Sequence, residues 1–448
     1  MMESGTRPDS TESELDVTFT RIHGGRIIDP AHQVDRIDDL WIQGARILGL
    51  GPRPPGAPER ADVELDANGL IVCPGLIDVH VHLREPGDEA SETIASGAAS
   101  ALAGGVATIA AMPNTNPPRD SQGAADLVVL QGRRAGRAHV LPVGAVSKGR
   151  EGRELAELGR LVEGGAVAFT DDGSPVSNAE LMRRALEYAS MFDLVIMQHC
   201  QVMELTEGAV MNEGFESARL GLRGMPPAAE DIMVARDIRL AEITGGRLHI
   251  QHISTARAVE LVREGKRRGV RVTAEACPHH FTLTDEKLRS FDTVYKMNPP
   301  LRTAEDVEAV IEGLIDGTID LLATDHAPHS QEKKSQAIDV APFGVIGLET
   351  LLPVSATALV RTGRLTWPQL LGKLTEQPAR LLNLSDKGHL GVGADADVTL
   401  LDPETVWTLD VNRFLSRSRN CPFHGWEVIG RAETVLVEGE IRYQRPTN

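Results

Sequence analysis

The feature that most constrains this chain is an alternation of eight short apolar runs, between Leu76 and Pro328, with longer amphipathic stretches. The apolar runs read LIDVHVH, VATIAAMP, HVLPVGAV, AVAFTDDG, LVIMQHC, LHIQHIS, VRVTAEACPHH and DLLATDHAP. Their length, and the Gly or Pro that bounds them, favours strands buried on both faces, the pattern of parallel sheets. The intervening stretches include SETIASGAASALAGG, NAELMRRALEYASMF, AEDIMVARDIRLAEITGG and TARAVELVREGKRRG. Several of them open on a Ser, Thr or Asn cap and close on Gly, as helices do. Parallel strands need crossover connections, so eight strands, most followed by a helix, predict an α/β chain with a (β/α)8 TIM barrel.

The two ends have a different texture. Residues 17–72 hold short strand signals broken by turns, and after a helical region at 351–384 the same texture returns in 391–443. Neither flank is long enough to stand alone, so the two are expected to pair into one small β-sandwich domain. The expected division is a mobile tail at 1–16, a β domain from 17–72 plus 391–448, and the barrel at 73–390. No run of eighteen apolar residues occurs, and the polar, acidic N-terminus lacks the apolar core of a secretory signal. The net charge is −18 with no basic stripe, which argues against a nucleic-acid partner and requires a local cationic clamp for any anionic substrate. Four isolated cysteines, none in a CxxC pair, fit a reduced, cytoplasmic chain.

His80 and His82 stand two apart at the end of the first apolar run, and strand alternation places both rings on one face. The pair alone fits two packed core histidines as well as it fits a metal. Position adds to the case. Asp172 follows the fourth strand, His199 ends the fifth, His252 the sixth and Asp325 the eighth. The C-terminal ends of barrel strands converge on the face where active sites of this fold sit. Imidazole and carboxylate without thiolate suit Zn²⁺ or a similar divalent ion, and six ligands suit two ions bridged by a carboxylate.

With those residues in place, the segments DVHVHLREPG (78–87), MPNTNPP (112–118), FTDDG (169–173), MNPPLR (297–302), ATDHAPH (323–329) and APFGVIGLET (341–350) resemble the dihydroorotases, in their longer form with a flanking β domain. The similarity runs from about residue 20 to the end, including the closing SRSRNCPFHGWEVIGRAETVLVEGEIRY. The resemblance implies two zinc ions, one held by His80, His82, Asp172 and Asp325, the other by Asp172, His199 and His252. Asp172 would be the bridge, where many relatives use a carboxylated lysine; Lys148 is the alternative candidate. Arg84, Asn114 and His329 match positions that bind a substrate carboxylate, with Asn298 and the backbone of Phe343 and Gly344 completing the pocket. Residues 330–341 correspond to a mobile loop. Two positions depart from the family pattern: Gln201 where an acid is usual, and Cys277 where Thr is common.

The implied reaction opens the ring amide of dihydroorotate to give N-carbamoyl-L-aspartate, in pyrimidine biosynthesis. Zinc lowers the pKa of its water to about 7, which answers the weakness of neutral water toward an amide. Asp325 is the expected proton carrier. Strand alternation would also aim Arg84 into the mouth, its planar fork suiting a carboxylate. In isolation Arg84-Glu85 reads rather as a surface ion pair and Asn114 as a cap of a turn or helix, and His279-His280 read as structural. The alternatives carried forward are a hydantoinase, dihydropyrimidinase or allantoinase, and a silent partner of aspartate transcarbamoylase. A homodimer is the expected assembly.

Overall fold

The computed structural model describes residues 18–446, so the expected tail at 1–16 lies outside the described residues. The fold is α/β. Eight parallel strands form its centre: β1 Leu76–Val81, β2 Val106–Ala111, β3 His139–Pro142, β4 Ala168–Phe169, β5 Val195–Gln198, β6 Arg247–Ile250, β7 Val272–Ala276 and β8 Leu321–Leu322. Seven are followed by a helix: α1 Ile94–Ala103, α2 Gln122–Ala135, α3 Leu158–Glu163, α4 Ala179–Ala189, α5 Ala228–Thr244, α6 Ala256–Arg267 and α7 Ala304–Asp316. After β8 the chain enters a broken helical region, Leu351–Ser355, Trp367–Leu374 and Glu376–Leu381.

Each strand pairs in parallel with the next in sequence. Between β3 and β4 the link is a single bridge, Gly144 to Phe169, and beyond β8 His326 bridges back to Val81 at the end of β1. The sequence reading gave the fourth and eighth strands more length than the structure does. Both give way to turns held to neighbouring stretches by backbone-to-side-chain hydrogen bonds. Asp171 Oδ1, just past β4, accepts from the N–H groups of Val146 and Ser147, and Asp78 accepts from Thr324 just past β8. At these points polar side chains do the work of a sheet ladder.

Both chain ends enter one eight-stranded sheet. Ile71–Pro74 pairs antiparallel with Val398–Asp402, which joins the N-terminal strands to Arg431–Val437 and Glu440–Gln444. Ile27, Leu40 and Ile42 from one end meet Val398, Leu400 and Leu436 from the other in a separate apolar cluster. No helix among the described residues is long and apolar enough to cross a membrane.

Candidate active site

The C-terminal ends of the parallel strands surround a cavity of about 320 Å³. Eleven of the twelve residues singled out from sequence line it: His82, Arg84, Asn114, Asp172, His199, His252, Asn298, Asp325, His329, Phe343 and Gly344. The twelfth, His80, is fully buried beneath it against Asp172 and Asp325.

The arrangement is organised around Asp172. Its Oδ2 lies 3.3 Å from His80 Nε2 and 3.2 Å from His82 Nε2, while its Oδ1 lies 3.6 Å from both His199 Nδ1 and His252 Nε2. Asp325 Oδ1 completes the first group, 3.0 Å from His82 Nε2 and 3.5 Å from His80 Nε2. The second group closes with His199 Nδ1 and His252 Nε2 2.9 Å apart. One carboxylate therefore presents one oxygen to each of two clusters of ring nitrogens.

Residues behind the rings set which nitrogen faces the centre. Asn114 Oδ1, an acceptor, is 2.8 Å from His82 Nδ1; Gln201 Oε1 is 2.8 Å from His199 Nε2; the Glu275 carboxylate is 2.5 Å from His80 Nδ1. Each holds a proton on the outer nitrogen and leaves a lone pair on the inner one, the arrangement that orients metal-binding histidines. Arg150 donates to the carbonyls of Asp171 and Asp172 and fixes the turn that carries Asp172.

The residues present fit divalent cations. His80 Nε2 and Asp172 Oδ1 are buried and have no hydrogen-bond partner among the described residues, a costly state for polar atoms that a cation would relieve. Charge points the same way. Burial alone would push the His80 ring toward its neutral form, yet Asp172, Glu275 and Asp325 together raise its pKa well above the ordinary value. Burial likewise works against the Asp172 and Asp325 carboxylates, but the facing histidines hold both well below the usual range. A pocket that would force a proton onto a buried histidine is one that attracts positive charge. Three of the residues around the cavity have left-handed backbone, Arg84 at φ 60°, His252 at φ 33° and Asp325 at φ 47°. Such outliers in non-glycine residues gather at functional sites, where surrounding structure pays for them.

Several sequence readings change in detail. Arg84 does not reach the cavity by strand alternation, because β1 ends at Val81. Its left-handed conformation turns it inward, where Nε donates to Pro328 O at 3.1 Å. Glu85 is no ion-pair partner for it: its carboxylate accepts from Ile94 N at the start of α1. His329 Nε2 donates to Phe343 O at 2.7 Å, and burial beside Arg84 pushes its ring down to about 3, so it is neutral and braces the rim. Gly344 N is committed to Lys296 O at 3.0 Å, and a φ of +133° with Ala327 O 2.9 Å from any Cβ explains glycine there. Lys148 points away, its ammonium 2.6 Å from Glu154, half exposed and outside the cavity lining. His279 and His280 are buried beside Cys277, burial pushing His279 down to about 4. The segment after His329 contains a short helix, Gln331–Lys334, with Lys334 buried.

Sequence reasoning missed Glu275 and Arg150, and it noted Gln201 only as a departure from the family pattern, without its contact to His199. Glu275 carried the one available signal, a carboxylate inside the apolar run VRVTAEA. Such a group needs partners, and it has two, His80 and His249 at 3.0 Å.

Residues 69–258 match the Dihydro-orotase-like family and residues 348–443 the Amidohydrolase family. The chain is 51% identical over 423 residues to a dihydroorotase of Pelotomaculum thermopropionicum, covering 94% of this chain and 98% of that one. It is 50% identical over 424 residues to a dihydroorotase of Syntrophotalea carbinolica, with the same coverage of each. Among solved structures, the L-hydantoinase (dihydropyrimidinase) of Arthrobacter aurescens superposes with a TM-score of 0.84 at 25% identity, over 95% of this chain and 96% of that one. With half of its residues shared across nearly the whole length of such relatives, the chain belongs to the dihydroorotase family.

Proposed function

We propose that this chain is a two-zinc dihydroorotase that interconverts (S)-dihydroorotate and N-carbamoyl-L-aspartate in pyrimidine biosynthesis. The observation that carries the reading is Asp172, one oxygen toward His80 and His82 and the other toward His199 and His252, with Arg84 on the same cavity wall. His80, His82, Asp172 and Asp325 would hold one ion, and Asp172, His199 and His252 the other. Nitrogen and oxygen donors without thiolate favour zinc in an open, catalytic site. When bound, the pair supplies a nucleophile active at neutral pH and polarises the amide carbonyl.

The chain's own residues do the rest. Arg84 supplies the cation for the substrate carboxylate in a chain of net charge −18. Asn298 donates to Gln201 Oε1 at 2.8 Å, which leaves its own carbonyl oxygen to accept from a ring N–H. Asp325 takes the proton released by the attacking water. It returns that proton to the ring nitrogen as the C–N bond breaks, so the nitrogen departs as a neutral amide.

The architecture we propose is a (β/α)8 barrel at 73–390 with a small β-sandwich domain from 17–72 and 391–448. It is supported by pairing that returns from His326 to Val81 and by the shared sheet of the two ends. A homodimer and a cytoplasmic location belong to the same reading, the latter fitting four free, buried cysteines. An aspartate transcarbamoylase partner is compatible with it, but a silent role is disfavoured because all six ligand positions are filled.

The likeness to a hydantoinase keeps one second reading in view: a cyclic amidase for substrates that lack a carboxylate. Arg84→Met separates the two. It keeps the apolar stem and removes the charged fork, whose hydrogen bonds contribute roughly 1.5–3 kcal/mol. The expected result is a loss of about ten- to more than a hundredfold in kcat/KM for dihydroorotate at unchanged zinc content. An unchanged kcat/KM in the fully loaded variant would remove Arg84 from the clamp.

A further inference from the structure

Two buried lysines stand against the Pro342–Gly344 rim of the cavity. Lys296 and Lys334 are 2% and 6% exposed, and among the described residues neither forms an ion pair. Each instead donates to backbone carbonyls. Lys334 Nζ reaches Lys296 O at 3.2 Å, Pro342 O at 3.1 Å and Gly344 O at 3.2 Å. Lys296 Nζ reaches Ile338 O at 2.6 Å and Asp339 O at 3.4 Å, and sits 4.6 Å over the ring of Phe343.

The bonds run in a closed pattern. Lys296 holds the segment that follows Lys334, and Lys334 holds the backbone of Lys296 itself. Gly344 N then donates back to Lys296 O. Three stretches are tied together: the one leading into Asn298, the short helix Gln331–Lys334, and Pro342 to Gly344. All three flank residues that line the cavity, and none carries a metal ligand.

We propose that Lys296 and Lys334 are positioning residues, a two-ammonium clasp that holds the Pro342–Gly344 rim and Asn298 in place for the substrate. Lysine is an expensive way to fill space, since burying an ammonium without a carboxylate disfavours its charge. Burial, helped by the charge of Lys296, pushes Lys334 down to about 7. What an apolar side chain cannot do is satisfy three converging carbonyls at once. Two of the three have another donor: Lys296 O accepts from Gly344 N, and Gly344 O accepts from Asn420 Nδ2 at 3.0 Å. Removing the ammonium therefore strands chiefly Pro342 O, at the cavity edge, and the damage should stay local.

This inference rests on the dihydroorotase reading for its kinetic readout but not for its structural one. Lys334→Met, Lys334→Gln and, on the same short helix, the surface control Lys333→Met would be compared with the parent as full chains loaded with zinc. Lys333 is half exposed and paired with Asp88 at 2.7 Å. For Lys334→Met, amide hydrogen exchange in 336–344 should rise about tenfold, with KM for dihydroorotate up by a similar factor, as for the loss of a net hydrogen bond to a charged group. Zinc content and kcat should stay near the parent's, and Lys333→Met should match the parent throughout. Lys334→Gln keeps two donors, so its KM should fall between parent and Met. A space-filling role predicts the reverse order, Met nearer the parent than Gln, and that order overturns the proposal. So does a fall in melting temperature with no change in KM or local exchange. If Lys334→Met does not fold, Lys296→Met tests the clasp from its other side with the same readouts. A parent that fails to turn over dihydroorotate would refute the activity, while the exchange measurement would still judge the clasp.

Discussion

Replacing Asp172 with alanine should empty both halves of the metal site and abolish turnover, without unfolding the barrel. The expectation follows from the position of its two oxygens, one 3.2–3.3 Å from the inner nitrogens of His80 and His82, the other 3.6 Å from those of His199 and His252. Any other ligand lost alone would spare one group, whereas this loss removes a donor from both. Losing an outer partner of a metal ligand typically costs about 10–100-fold in affinity or activity, and losing the shared ligand should cost more. The fold should survive, because Asp172 makes its contacts toward the centre while Asp171 and Arg150 hold the turn. Elemental analysis and thermal unfolding of the same sample check both parts. Full occupancy of two ions in Asp172→Ala would place the bridge elsewhere.

The second large effect is expected at Asp325. Asp325→Asn retains shape and a ligand oxygen but cannot carry a proton, so turnover should fall by about 10²–10⁴-fold while KM changes little. Asp325 is poised for this task. Burial opposes its charge, yet His80 and His82 keep it ionised, and its Oδ1 is 3.0 Å from His82 Nε2. Because the same residue is also a proposed metal ligand, metal content has to be measured alongside rate. A fully loaded variant with near-parent kcat would assign the proton transfer to another group.

Much of this site was readable because its signals are local. HVH, DDG, QHC, QHI and TDH each stand at the end of an apolar run, and parallel strands bring such ends together whatever the details of packing. The same logic failed where the chain leaves regular structure. Alternation seemed to account for Arg84, but a left-handed residue three places past β1 is what turns it inward. Residues whose partners are distant in sequence were also hidden. Glu275 meets His80 across 195 positions, and Gln201 braces both His199 and, 97 positions away, Asn298. The lysine clasp was hardest to see, because 330–341 reads from the resemblance only as a mobile loop. Only the convergence of carbonyls from three segments gives Lys334 a reason to be buried.

We propose that this site binds two metal ions and selects a cyclic amide bearing a carboxylate. The decisive experiment measures the divalent metal content of the purified chain together with its turnover of dihydroorotate, hydantoin, dihydrouracil and allantoin. About two zinc ions per chain are expected, as suits six convergent candidate ligands. A preference for dihydroorotate of roughly ten- to more than a hundredfold over the uncharged cyclic amides is expected as well, from the proposed clamp at Arg84. Active protein with no divalent metal, or hydantoin and dihydrouracil opened as fast as dihydroorotate, would contradict the proposal.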